Sequence, residues 1–302
     1  MTIPAIARGW GRIVTGAEMN QRATARSLFF GAIGDLLSNF GAVLRIGGVW
    51  FAAYIALNAW AGRIYAHWVL YDVDQISAGP PGEWYVSALF LGMLGIVASA
   101  WHRFIYLGET ARVIPRMRLV IIGKYMVAWV VIGSVATMSA VVLVCMPVLG
   151  LFLALGTSAL DVLGALFVAD WMRLGGISPW LIGSLIAMIA VSVWVSIFLL
   201  LRIGLGLPSI AVLDGQGLAL GASWRATRSL GRAIFGASLW AALATCVLYG
   251  LVVALTPDLG ESFDASREVG FRLAGAAVDI ITMLVGAAML TRIYGAVPSD
   301  AL

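Results

Sequence analysis

Three groups of residues in this chain carry side chains that could do chemistry. The first is His102–Arg103, inside "ASAWHRFIYLGE" at residues 98 to 109. An imidazole beside a guanidinium could shuttle a proton or hold a phosphate. A catalytic histidine also needs an orienting carboxylate and a nucleophile or metal beside it. His67 is the only other histidine, and the pattern of apolar runs places it at the opposite membrane face. His102 and Arg103 therefore read as a contact to lipid headgroups, the arginine stem lying in hydrocarbon and its head in water. Trp101, Phe104 and Tyr106 flank them at headgroup depth, and Glu109 marks the exit of the helix.

The second group is Arg225, Arg228 and Arg232, in "GLPSIAVLDGQGLALGASWRATRSLGRAIFG" at 206 to 236. Pro208 is expected to end a helix, and "LDGQG" reads as a turn. Leu220, Trp224 and Leu230 then interleave with the three arginines, which predicts a short amphipathic helix in the membrane interface. Its guanidinium groups suit the phosphates of anionic lipids, or serve only to set topology.

The third is Asp279, in "AGAAVDIITMLVGAAML". A carboxyl near the bilayer middle must be protonated, paired or in contact with water, because ionising it in hydrocarbon costs at least about 2.5–3.5 kcal/mol. It is either a coupling residue for transport or the acceptor of a hydroxyl, for which Ser134, Thr137 and Ser196 are candidates. Gly275 and Gly286 fall on its helical face and predict close packing there. The chain carries no Walker-type phosphate loop, GxSxG elbow or metal-spaced His cluster. Cys145 and Cys246 fall in apolar runs and read as buried thiols. No catalytic, cofactor or metal residue is expected.

The elements that position these groups follow from composition. Hydrophobic residues make up 62% of the 302, and charged residues only 11%, against about 25% charged in a soluble domain. That leaves too little polar surface to face water. Six apolar stretches are long enough to cross a bilayer: 42–66, 86–108, 119–147, 178–207, 232–256 and 269–296. Met146–Pro147 is expected to kink or end the third. The piece 157–172 could be interfacial, re-entrant or a further span; Asp161 and Asp170 argue against the last.

Eighteen arginines and the single Lys124 supply the basic charge. With six spans, fifteen of these nineteen fall on the side holding both termini and the second and fourth loops. Arg63, Arg173, Arg267 and Arg272 fall on the other. Basic loops stay in the cytoplasm, so both termini are expected there. Trp60, Tyr65, Trp68 and Tyr71, followed by the tight turn "GPPGEW" and then Trp84 and Tyr85, mark the outer interface.

The first forty residues are not expected to span. Ile3, Ile6, Trp10, Ile13 and Val14 form one helical stripe. Phe29, Ile33, Leu36, Leu37 and Phe40 form another, with Ser27 as its expected N-cap. Two glycines and Asp35 interrupt the run Leu28 to Leu37, so it does not read as a cleavable signal. These helices either lie in the interface or pack on the bundle.

The reading is an all-α polytopic membrane protein with six transmembrane helices and cytoplasmic interfacial amphipathic helices. Residues 1–41 form the interfacial segment, 42–297 the bundle and 298–302 a short tail. "AWHRFIYLGE" and "LPSIAVLDGQGLALGASWRATRSL" resemble multi-pass proteins of proteobacteria, similar to the membrane domain fused to some bacterial glycerophosphodiester phosphodiesterases. The resemblance implies a fold and no mechanism, because the catalytic barrel of those enzymes has no counterpart here. The expected function is a non-enzymatic inner-membrane protein that binds anionic lipid or a membrane-protein partner, as an accessory or assembly factor, with no nucleic acid. A small-molecule or lipid transporter using Asp279 is the alternative, and an intramembrane lipid enzyme the third reading.

Overall fold

The computed structural model describes residues 23–71, 83–115, 118–145, 179–255 and 265–298. Outside them lie the first expected stripe at 3–14, the outer turn up to Gly82, the Met146–Pro147 kink, the segment 157–172 and the last four residues.

The described residues are helical, without strands, as the hydropathy requires: in lipid a backbone must satisfy its own polar groups. In chain order the helices are α1 (Ala25–Ser38), α2 (Phe40–Tyr71), α3 (Glu83–Leu107), α4 (Leu119–Ala140), α5 (Pro179–Ile203), α6 (Gly206–Val212), α7 (Leu220–Ala226), α8 (Gly231–Leu255) and α9 (Ala265–Ala296). A widened π turn, Val141–Cys145, extends α4. A single 3-10 turn, Arg228–Leu230, leads into α8. Among the described residues six helices (α2, α3, α4, α5, α8 and α9) are long and apolar enough to cross a bilayer.

These six close a ring in chain order. Each packs on the next, α9 returns to α2, and α9 also reaches across the middle to α3. Without a hydrophobic drive between helices in lipid, such packing rests on van der Waals contact and close approach. Gly62 shows one such approach: a Cβ there would lie 3.2 Å from the Cα of Val269, so α2 and α9 meet through it. Gly275 and Gly286, expected to mark a contact, have open space where a Cβ would be. No neighbouring helix comes close at either; beside Asp279, α9 is met by Tyr54 of α2 and Tyr249 of α8.

One end of the ring holds the arginine-rich loops and is called the basic end below. There α6 is wedged among α3, α4 and α9, and residues 201–211 are all buried. The fourth span stops at Ile203, four residues short of the expected 207. Pro208 does not end it, but sits in the first turn of α6, where a missing N–H costs little. Asp214 and Gly215 turn the chain with φ of 49° and 94°, and the Gly215 amide bonds the Ile210 carbonyl at 2.8 Å. The expected "LDGQG" turn is thus present, and α7 follows as the short amphipathic helix. Its Ser223 and Ala226 are buried, as is Leu230 in the turn after it, while Trp224 is exposed.

The helix α1 packs on α8 and α9. Leu28, Phe29 and Ala32 are buried, while Phe30 and Leu37 stay exposed, so it is docked on the bundle along one face; Phe40, also exposed, opens α2. Its N-cap is Thr24, not Ser27. The Ser27 amide donates to Thr24 Oγ1 at 3.1 Å and the Thr24 amide to Ser27 Oγ at 2.9 Å, a reciprocal capping box. Both residue types suit a cap, but the helix begins at Ala25, three residues before the start that a cap at Ser27 would give. At the other end of the ring, Trp60 meets Tyr85 edge to face at 6.4 Å, and Arg272 bonds Glu268 at 2.6 Å and lies over the Tyr65 ring.

Candidate functional site

The basic end is built around α3, which delivers His102 and Arg103 inward rather than to a headgroup. His102 is fully buried and Arg103 only 7% exposed. Trp101 is equally buried, so it does not sit at an interface here, whereas Phe104 and Tyr106 are half-buried. The lipid-contact expectation for His102 and Arg103 is therefore corrected. The hydropathy of "ASAW" marks depth along the membrane normal, and says nothing about which way the helix turns its faces.

The partners of His102 define its chemistry. Thr291 Oγ1 donates its single proton to the Ala287 carbonyl at 2.8 Å, as a helical threonine does. It can then only accept from His102 Nδ1, 2.9 Å away. That leaves Nε2 as the acceptor for the Tyr125 hydroxyl at 3.0 Å. A neutral ring protonated on Nδ1 thus satisfies all three groups. Tyr106 adds a hydrogen bond to the Thr291 carbonyl at 2.5 Å. The histidine ties α3, α4 and α9 together and makes no hydrogen bond to a carboxylate among the described residues; the geometry is that of a structural joint.

Arg103 is a clamp. Its Nε and Nη2 both reach Glu109 Oε1, at 2.9 and 2.5 Å. Its Nη1 donates to the Ala211 carbonyl at 2.7 Å and to Asp214 Oδ1 at 3.1 Å. One guanidinium thereby holds the end of α3, the end of α6 and the left-handed turn after it. A second arginine, Arg292 on α9, makes a two-point pair with Asp35 of α1, Nε to Oδ2 at 2.6 Å and Nη2 to Oδ1 at 2.7 Å. That paired geometry is the strong form of the interaction. It anchors α1 to the bundle, together with a bond from Arg292 Nη1 to the Ser27 carbonyl. Arg202 stacks over Trp224 at 4.1 Å and donates to its carbonyl, docking α7.

Arg225, Arg228 and Arg232 differ from these. All three are exposed and none has an acidic or carbonyl partner among the described residues. They lie within eight residues of one another, on α7, on the turn after it and in the first turn of α8.

Asp279 sits about 20 Å by helical rise from the start of its span at Ser266. Tyr54 of α2 donates to its Oδ2 at 2.8 Å, and Tyr249 of α8 donates to Oδ1. The donors are these two phenols and not Ser134, Thr137 or Ser196. The last three lie on α4 and α5, while α9 is held between α2 and α8; Ser134 and Thr137 are exposed. The phenols supply the hydrogen bonds that water would give a carboxyl outside the membrane. Asn58, one turn beyond Tyr54, is buried and bonds the Tyr54 carbonyl.

Sequence reasoning missed Tyr54, Tyr125, Tyr249, Asp35 and Thr291. The single usable signal was Asp35, an acid inside an apolar run with Arg292 on another apolar helix. The tyrosines look like ordinary membrane aromatics until the helices are placed. Cys246 is a half-buried free thiol.

Among the described residues no three His, Cys, Asp or Glu side chains converge as a metal site. The fold and this end of it define a polytopic helical membrane protein with internal polar joints and an outward arginine surface. No protein family, curated protein or solved structure matches the chain.

Proposed function

We propose that this is a non-enzymatic accessory protein of a bacterial inner membrane, with its basic end in the cytoplasm, that holds anionic lipid for itself or for a membrane-protein partner. One observation carries the reading: Arg225, Arg228 and Arg232 are exposed together with no acidic or carbonyl partner among the described residues, while Arg103, Arg202 and Arg292 are engaged internally. An arginine kept for structure finds a partner inside the bundle, as those three do. A set left open at the end of an interfacial helix suits phosphate oxygens, which a guanidinium binds with two parallel hydrogen bonds. The likeness of the two loop segments to proteobacterial multi-pass proteins belongs to the same proposal.

Each basic group near an anionic surface contributes about 1 kcal/mol. Changing Arg225, Arg228 and Arg232 to Gln is therefore expected to lower phosphatidylglycerol retention about 100-fold. The measurement is native mass spectrometry of the purified protein across a lipid titration, with phosphatidylcholine as control. Unchanged phosphatidylglycerol binding in the triple variant would leave these arginines a topological role and defeat the proposal.

A second reading, a transporter of a small molecule or lipid, draws on Asp279 alone. A mid-span carboxyl is by default a functional hypothesis.

A further inference from the structure

We infer that the groove between α4 and the α6–α7 segment is a binding site for one acyl chain of an anionic phospholipid, with Lys124 at its headgroup end. This rests on the anionic-lipid reading above and assigns it a distinct site.

The groove has a volume of about 550 Å³, within the range of small-molecule sites. Its outer wall is Val127, Ala128, Val131 and Ile132 of α4, and its floor runs from Ile210 through Gly217 to Leu220. From Lys124 to Ile132 the wall extends eight residues, about 12 Å along the helix. That is a strip of hydrocarbon depth with one charge at its end.

Two features shape it. Glycines let the floor lie low: a Cβ at Gly206 would come 2.8 Å from the Leu218 carbonyl oxygen, and one at Gly217 would come 2.7 Å from Ile210. Larger residues would lift the floor or push the loop away. The charge is the second feature. Lys124 is the only lysine in the chain. It is exposed, lies over Gly215 and has no acidic partner among the described residues. The nearby acid, Asp214, is held by Arg103.

Charge complementarity selects the occupant. Lys124 stands five residues into α4 from the basic end, where headgroup phosphates lie. The apolar wall continues from it toward the bilayer middle. An anionic phospholipid matches both halves: phosphate at the amine and one chain along Val127 and Val131. A neutral lipid matches only the second half, and an apolar peptide has nothing for the lysine.

The test uses the full-length protein in detergent, titrated with phosphatidylglycerol, phosphatidylcholine and hexadecanoate and read by native mass spectrometry. Wild type is expected to retain phosphatidylglycerol in preference to the other two. Lys124→Gln should reduce that preference about fivefold, the effect of one basic group near an anionic headgroup. Val131→Trp, placed at an exposed position on the wall, should remove the tightest-bound lipid whatever its headgroup. The Arg225/Arg228/Arg232→Gln variant should keep this one groove lipid while losing the phosphatidylglycerol held at the arginine surface. Retention unchanged in both Lys124→Gln and Val131→Trp overturns the groove even if the arginine triple loses lipid. Loss in the groove variants with none in the arginine triple supports the groove and defeats the arginine surface. Displacement by equimolar hexadecanoate would make the occupant a free fatty acid and overturn the phospholipid assignment. Wild-type melting temperatures in both groove variants exclude misfolding as the cause.

Discussion

Replacing Asp279 by Leu is expected to destabilise the protein by about 2–4 kcal/mol, read as a lower midpoint of thermal unfolding in detergent or nanodiscs. Leu fills a similar space but accepts nothing, so the hydroxyls of Tyr54 and Tyr249 both lose their acceptor. Each orphaned buried donor costs about 1–3 kcal/mol. Tyr54 is 4% exposed and bears the full effect, whereas Tyr249 is 38% exposed and faces a less confined space. Asn keeps an oxygen for one phenol and an amide that the other phenol oxygen can accept. Asp279→Asn is therefore expected to cost only about 1 kcal/mol, with unchanged growth or lipid retention. The transport reading predicts otherwise. If the carboxyl must change charge in a cycle, Asp279→Asn removes function while the protein still folds. Lost function with wild-type thermal stability would establish transport over the accessory role.

The second large effect is expected at Arg103. Arg103→Met leaves the Ala211 carbonyl without its donor and releases Glu109 and Asp214 from their common partner. Removing one member of a buried ion pair costs about 3–5 kcal/mol. Glu109 is 26% and Asp214 78% exposed at the side chain, so both acids can regain water, and about 2 kcal/mol is the expected loss. The local signature should exceed the global one. The left-handed turn at Asp214–Gly215 is held by this guanidinium, so amide exchange and proteolysis there should rise while the core of α9 stays protected. Arg103→Lys is expected to recover only part of the stability, because one ammonium cannot reach Glu109, Asp214 and the Ala211 carbonyl in a fixed fork. Uniform loss of protection across the bundle would contradict a clamp role.

These two sites also show how far the chain could be read before its fold was known. The spans were legible because apolar length and helix length are one quantity in a bilayer: expected 86–108 became Glu83–Leu107, and expected 232–256 became Gly231–Leu255. The partners of Asp279 were not legible. Its depth follows from position along one helix, but its neighbours depend on the order of helices around the ring, which hydropathy does not encode. The same gap explains His102. A polar residue near the end of a span can snorkel or turn inward, and only the placement of Thr291 and Tyr125 decides. Arg225, Arg228 and Arg232 were expected at a surface and are exposed, because a short helix with alternating arginines has few other ways to lie. The fourth span was misjudged by four residues because "IGLGL" is apolar enough to continue a helix, yet the chain there turns into α6.

The proposed function requires that the basic end face the cytoplasm, where anionic headgroups and arginines meet. Reporter fusions test this most directly: alkaline phosphatase and a fluorescent protein attached after residue 80, and separately at the C-terminus, in a bacterial host. Fifteen of nineteen basic residues on one side predict a fluorescent, phosphatase-silent C-terminus and an active phosphatase after residue 80. An active phosphatase at the C-terminus, or two fusions reporting the same side, would contradict the orientation and with it the proposed lipid-binding face.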